Sequence, residues 1–526
     1  MPGAMSSPAE PPATPSHPVR RSLGWALERL RAVDRLGADM GSWPGDVWAT
    51  RINRVQILVW TVLSGSVLVR TGHFTYDQAY FYELAVRTAE ALRLPGYGPF
   101  VSGVQDSPLT PGGMLYAVLS VPFLLVRDPR WGMAWLHLLS AGGMLLFDAA
   151  LRRLGVQPAM RIATLVLMGW SVAHARATET FWNGDVFVFA TPTLLYLTAR
   201  LVTEASSRWK KVVLFGLVSA VLVQTHLSGA MAISVCLAVW LVQRPESFTV
   251  RRLALVVAIV ALCYVPYFVS ESQVDFINTH WLRSAVPSGE RHWTAAMTRS
   301  LLAPIAYVSH PEYPVQLWPP FPHTWPGWVI GLSGVGAAVF ALLGLFTRFS
   351  LKLSSVLVFL GLPVFFWLNG RDYFDHYAQA VVPFCCLWAG AGAGRLLAAG
   401  GPWRALTLAY LVAFCGGATA LLLTQLREPV LHPVMPWNGM NVAYQVKLVR
   451  EELARADLPG SGPGDESALT RAVVARRLFG RELWFNVYGM KCRVEIRLTG
   501  LGPPQEQPPG TRVLPLAANS VFVCPP

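Results

Sequence analysis

Between residues 55 and 424 the chain is built of long apolar runs separated by short charged breaks. The runs at 55–70, 131–151, 160–176, 184–201, 212–226, 228–243, 252–270, 327–346, 351–368, 377–397 and 404–424 approach the roughly 20 residues a helix needs to cross a bilayer. They are continuous rather than alternating, which predicts spanning helices and not barrel strands. A further apolar stretch, 114–126, is only about 13 residues long and is predicted to lie at the interface as a short helix. Beyond residue 424 the pattern changes. Residues 442–456 and 467–479 repeat with helical periodicity, and Ser467 and Gly480 stand where an N-cap and a C-terminal glycine belong. Residues 492–498 set Cys492, Val494, Ile496 and Leu498 against Arg493, Glu495 and Arg497, a strand pattern, and 513–524 holds another short strand. The expected fold class is an all-α polytopic membrane bundle of about eleven helices, with a small α/β domain at 425–526.

Composition agrees: hydrophobic residues make up 53% of the 526-residue chain and charged residues 14%, where a globular domain carries about 25% charge. The net charge of +13 would suit nucleic acid if it were clustered on one soluble face. Its distribution points to membrane topology instead. Arg20, Arg21, Arg29, Arg31, Arg35, Arg51 and Arg54 precede the first run, and Arg152, Arg153 and Arg161 follow the second. Arg200, Arg208, Lys210 and Lys211 follow the fourth run, and Arg244, Arg251 and Arg252 follow the sixth. Arg348 and Lys352 follow the eighth, and Arg404 the tenth. Basic loops stay cytoplasmic, so the N-terminus is expected inside, with outer loops at 71–130 and 271–326 and the C-terminal domain outside. Making 114–126 a full span would invert this asymmetry. Residues 1–50 read as a disordered, then basic, cytoplasmic segment without a signal-peptide pattern, and a bacterial inner membrane is the expected location. Cys236, Cys263, Cys385, Cys386 and Cys415 fall in spans as packing residues. Cys492 and Cys524 would be able to pair as a disulfide in an oxidising compartment.

The chemistry on that outer face is acidic first and basic later. Asp77 opens an amphipathic stretch running to about Leu92 and ended by Pro95-Gly96. It is placed for acid–base work, or equally to cap the helix and favour its dipole. Glu83 and Arg87 are spaced to pair on that helix. Asp106 precedes Ser107-Pro108 just before the interfacial helix. Asp185 opens a span otherwise nearly free of charge, either as a functional acid or as a tolerated end residue. Arg371, Asp372, Asp375, His376 and Tyr377 crowd the outer end of the tenth run, where Arg with His and Tyr suits a phosphate and also ordinary interfacial anchoring. All the histidines except His17 lie in outer segments or at outer helix ends, which longer outer loops alone would produce. Gly390, Gly392 and Gly394 sit in a span and read as close helix packing. There is no P-loop, dinucleotide fingerprint, HExxH or G-x-S-x-G elbow. Any reaction would therefore use a preactivated substrate or a gradient.

Asp77-Gln78, Glu83, Asp106-Ser107-Pro108, Asp185 and His376-Tyr377 with Pro383, in this order and topology, resemble the polyprenyl-phosphate-sugar-dependent glycosyltransferases of the GT-C superfamily. That superfamily includes the lipid A aminoarabinose transferases and the protein O-mannosyltransferases. Gln78 stands where the family often has a second acid. The resemblance implies an inverting glycosyltransferase that moves a hexosyl or pentosyl group from a polyprenyl phosphate carrier to an acceptor hydroxyl on the outer face. It implies Asp77 as catalytic base, with Glu83, Asp106, Asp185, Arg371, His376 and Tyr377 binding substrate. A divalent metal is left open, with Asp106 and Asp185 as its ligands. The expected partners are the lipid-linked donor, an unidentified acceptor and membrane lipids. Two alternatives stand beside this reading: a transporter or flippase for a lipid-linked substrate, and a non-catalytic membrane assembly protein.

Overall fold

The computed structural model describes residues 44–71, 76–98, 109–171, 183–204, 208–284, 325–344 and 379–427, short strands between 485 and 524, and a few single residues between these. Helix α1 (Asp46–Thr71) is followed by α2 (Tyr76–Ala91), α3 (Gly113–Leu119) and a 3-10 turn at Val121–Leu124. Then come α4 (Pro129–Arg153), α5 (Pro158–Gly169), a 3-10 turn at Asn183–Val186 leading into α6 (Phe187–Thr203), α7 (Arg208–Thr225) and α8 (Gly229–Gln243). Helices α9 (Val250–Cys263), α10 (Val265–Ser272) and α11 (Ile277–Ser284) precede α12 (Trp325–Gly344), α13 (Val382–Ala399) and α14 (Gly401–Arg427). Among the described residues, α4, 183–203 and 379–399 are each long and apolar enough to cross a membrane, and α9 with α10 forms one further bent candidate. The protein is an integral membrane protein.

Several predicted runs differ from the helices that form. Of the run 160–176, the described part forms the 12-residue α5 followed by a turn at Trp170, and residues 172, 173, 175 and 176 lie outside the described residues. This helix is buried on almost every side, with α13 packed along it. The run 252–270 breaks into α9 and α10, bent by 43°. Pro266 explains the break, because it lacks the N–H that would continue the helical ladder. The stretch 114–126 forms a short helix and then a 3-10 turn as Pro122 enters.

The bundle core lies where α13 packs against α5 and α12, and α4 against α6. Gly390 and Gly394 make the α5–α13 approach feasible. A Cβ at Gly394 would stand 2.5 Å from Met160 Cα, and one at Gly390 would stand 2.7 Å from Thr164 Cα.

One end of the bundle is pinned by charge. Arg161 on α5 is fully buried, with Nε and one terminal nitrogen each donating to Asp148 of α4 at 3.0 Å. Its other terminal nitrogen pairs with Asp46 at the start of α1, and Asn53 Nδ2 donates to Asp148 at 2.7 Å. The sequence pattern marks Arg161 as one more basic residue of an inner loop; the structure makes it the hub of three helices. Nearby, Glu204 at the end of α6 accepts from Arg200 (2.9 Å) and pairs with Lys211 (2.7 Å). Those two hydrogen-bonded cations pull its carboxyl down to about 2.

Toward the C-terminus, β1 (Phe485–Asn486), β2 (Arg493–Leu498), β3 (Arg512–Pro515) and β4 (Ser520–Cys524) form one antiparallel sheet in the order β1-β2-β4-β3. The single strand expected at 513–524 is a pair, β3 and β4, with Val513 opposite Val523. Cys524 ends β4, while Cys492 lies outside the described residues, as does the helix expected at 467–479.

Candidate active site

The segment after α1 begins with α2, whose first turn carries Asp77. The helix forms because apolar and aromatic residues recur on one face. Phe81, Tyr82, Ala85, Val86 and Ala89 are all buried. Phe81 stacks against Tyr116 of α3 (centroids 6.4 Å apart), and Tyr82 meets Phe123 edge-on at 5.2 Å. Glu83 accepts a 2.8 Å hydrogen bond from Arg87 on the solvent side, the simple pairing that its spacing allows.

Helix α3 is the hub of this end of the bundle. It packs on α2, on α7 and on the 3-10 turn Asn183–Val186. That turn carries Asp185, whose side chain is buried. Asn183 secures the turn by donating from Nδ2 to Thr225 O at the end of α7 (2.9 Å). Farther along α6, Thr191 Oγ1 donates to Ala380 O (2.9 Å). Ala380 lies four residues after His376 and opens the approach to α13. The elements carrying Asp77 and Asp185 thus meet through α3, and α6 in turn holds the start of the segment that follows His376 and Tyr377. Asp106, Arg371, His376 and Tyr377 lie outside the described residues.

Several residues that organise this end are not among the predicted site residues. Gln224 on α7 is buried and bridges two segments: its Oε1 accepts from Met114 N of α3 (2.8 Å), and its Nε2 donates to Cys263 O at the end of α9 (2.8 Å). The sequence signal was present, since Gln224 stands in an otherwise apolar run. Glu271, at the end of α10, is 0% exposed. It accepts from Asn278 Nδ2 (2.9 Å) and from Thr279 N (2.7 Å). Tyr97 lies half-buried beside it without a well-formed hydrogen bond. Burial first, and then the neighbouring Glu271 carboxylate, push the Tyr97 phenol above its ordinary value.

Two histidines belong to the core. His137 Nε2 donates to Thr61 O at 2.9 Å, which leaves Nδ1 facing Ser64 Oγ at 3.3 Å. His174 meets Ser140 Oγ at 2.8 Å, and Trp60 packs between the two rings at 4.8 Å from each. Among the described residues no group of three His, Cys, Asp or Glu side chains gathers as a metal site requires.

The chain shares its fold with the solved structure of ArnT. ArnT from Cupriavidus metallidurans in the apo state superimposes with a TM-score of 0.51 and 13% identity, over 91% of this chain and 97% of its own. The same protein bound to undecaprenyl phosphate gives a TM-score of 0.52 at 13% identity, over 89% and 97%. The archaeal oligosaccharyltransferase AglB from Archaeoglobus fulgidus, in complex with an inhibitory peptide and a dolichol-phosphate, aligns at a TM-score of 0.41 and 10% identity, over 80% and 63%. No protein-family model matches the chain, and no curated protein matches its sequence. At 13% identity the likeness to ArnT speaks for the fold alone, and the residues must speak for the reaction.

Proposed function

We propose that this chain is an inverting membrane glycosyltransferase that moves a hexosyl or pentosyl group from a polyprenyl phosphate carrier to an acceptor hydroxyl on the outer face of the membrane. The carrying observation is the GT-C fold with the Asp77 helix packed, through α3, on the turn holding Asp185. The ligand bound to the similarly folded ArnT, undecaprenyl phosphate, supports a lipid phosphate carrier.

In this reading the acceptor oxygen attacks the anomeric carbon from the face opposite the phosphate. The new C–O bond forms as the bond to the phosphate oxygen breaks. Asp77 takes the acceptor proton, and the polyprenyl phosphate leaves with the bonding pair. Arg371 and His376 stabilise the charge that develops on the phosphate, as preorganised cationic groups do best where water is excluded. Asp106, Asp185, Glu83 and Tyr377 hold the sugar and acceptor. The apolar bundle holds the carrier's lipid tail, the N-terminal 1–50 segment is cytoplasmic, and the 425–526 domain lies outside, where an acceptor would approach.

A radiolabelled polyprenyl phosphate sugar, supplied to membranes containing the protein, tests the reading. Asp77→Asn is expected to lower transfer by roughly 100-fold or more, the lower range of a general base's contribution, with expression and insertion unchanged. Full transfer in that variant would remove Asp77 from the mechanism. Carrier crossing the membrane with its sugar bond intact would establish a flippase instead.

A further inference from the structure

We propose that Glu271 is a positioning residue for the transfer reaction: a buried carboxylate clasp that fixes the first outer segment to the start of the large outer loop. The proposal rests on the transferase reading above. Its basis is a chain of contacts that crosses between two segments far apart in sequence. Asn278 donates from Nδ2 to Glu271 Oε1, and its own Oδ1 accepts from Leu109 N at 3.1 Å. Thr279 N donates to Glu271 Oε2, and Tyr267 Oη meets Thr279 Oγ1 at 3.2 Å. On the other side of the first outer segment, Gly98 N donates to Thr110 O, drawing residues 98 and 110 together. Gly96 lies flat on α10, where any Cβ would collide with Ser270 and the Pro266 carbonyl. Tyr97, between these glycines, lies against Glu271.

Three features separate this arrangement from ordinary loop packing. The carboxylate is completely buried, and its partners among the described residues are neutral. Burying a charge without a counter-ion is unfavourable unless its hydrogen bonds are well formed. Those bonds are charge-assisted and about twice as strong as neutral ones. The backbone beside it is also constrained: Asp275 and Phe276 take positive φ of 51° and 55°, and Phe276 N donates back to Glu271 O at 2.9 Å. That tight turn returns Asn278 and Thr279 over the carboxylate. Finally, the clasp holds Leu109, which in sequence stands three residues beyond Asp106 and four before α3. α3 is the element on which the Asp77 helix and the Asp185 turn both pack.

A carboxylate accepts at both oxygens, whereas an amide in its place must turn one NH2 toward a donor. Glu271→Gln therefore disrupts one of the two bonds, and Asn278→Ala removes the link to Leu109 while leaving the bond from Thr279 N. The test measures amide hydrogen exchange and transfer kinetics on the full-length protein in lipid nanodiscs. Both variants are expected to speed exchange at the Leu109 amide about tenfold or more. They are also expected to lower kcat about tenfold with the donor KM nearly unchanged, as when reacting groups are bound but misaligned. Glu271→Asp, which keeps both acceptors, is expected to recover part of that kcat. Faster exchange with unaltered kcat would overturn the positioning role, and unaltered exchange would overturn the clasp itself. A wild-type protein with normal exchange but no transfer would sink the transferase reading and the positioning role with it, leaving a purely structural clasp.

Discussion

Arg161 illustrates how a residue's type and its role come apart. Its charge and position place it with the inner-loop cations, where it would contribute little to stability. In the folded chain it is buried between two carboxylates on two other helices. Removing one partner of such a group leaves the other charge buried, at a cost of roughly 3–5 kcal/mol. Arg161→Ala is therefore expected to lower the thermal stability of the detergent-solubilised protein sharply. The double variant Arg161→Met/Asp148→Leu, which removes both charges, should recover much of the loss, as read by thermal unfolding monitored through tryptophan fluorescence. Equal losses in the single and double variants would show that the pair is not the hub described. Asp77 and Glu83 show the opposite case at the same scale. Glu83 has a structural partner in Arg87, so its part in substrate binding is the weaker proposal; Asp77 carries the reaction reading, and the transfer assay on Asp77→Asn decides it.

Among the elements, the α5–α13 pair depends on a stripe of small residues. The helices approach closely because Gly390 and Gly394 present no Cβ to Thr164 and Met160. Gly394→Leu forces backbones apart in a packed interior, and overpacking of that kind costs about 1–3 kcal/mol. A lower unfolding temperature and a poorer yield of folded protein are expected, while Gly142→Ala, at a glycine with nothing within 4 Å of a built Cβ, should be neutral. Gly142→Ala proving as harmful as Gly394→Leu would exclude the close-packing account. The broken pair α9–α10 is also an element-scale feature. Pro266 and the apolar run are both visible in the sequence, but the run alone predicts one continuous span. Beyond the break, Glu271 is linked through Asn278 to Leu109 of the segment before α3.

Over the whole molecule, the charge asymmetry predicts one orientation. Arg153, Arg200 and Lys211 gather around Glu204 at one end of the bundle, while Asp185 and Glu271 lie among the residues of the other end. Small epitope tags make the test: in right-side-out spheroplasts a C-terminal tag is expected to be cut by added protease and an N-terminal tag to be protected. The reverse pattern would invert the topology and move the proposed chemistry to the cytoplasmic face.

Much of the architecture was legible because hydrophobic length is a local property. A run of about 20 apolar residues has few structures open to it in lipid, so helices appear over the described parts of the predicted runs. The amphipathic helix beginning near Asp77 and the alternating strand at 493–498 were legible for the same reason: period alone identifies them. The sequence by itself therefore determined a membrane bundle and the order of its acidic and basic motifs. It did not determine which polar residues would be brought together, because hydrogen bonds across the bundle join positions far apart in the chain. Gln224 meets Met114, Arg161 meets Asp46, and Asn278 meets Leu109. Each contact depends on where helices bend and how closely they pack, and only the tertiary structure decides that.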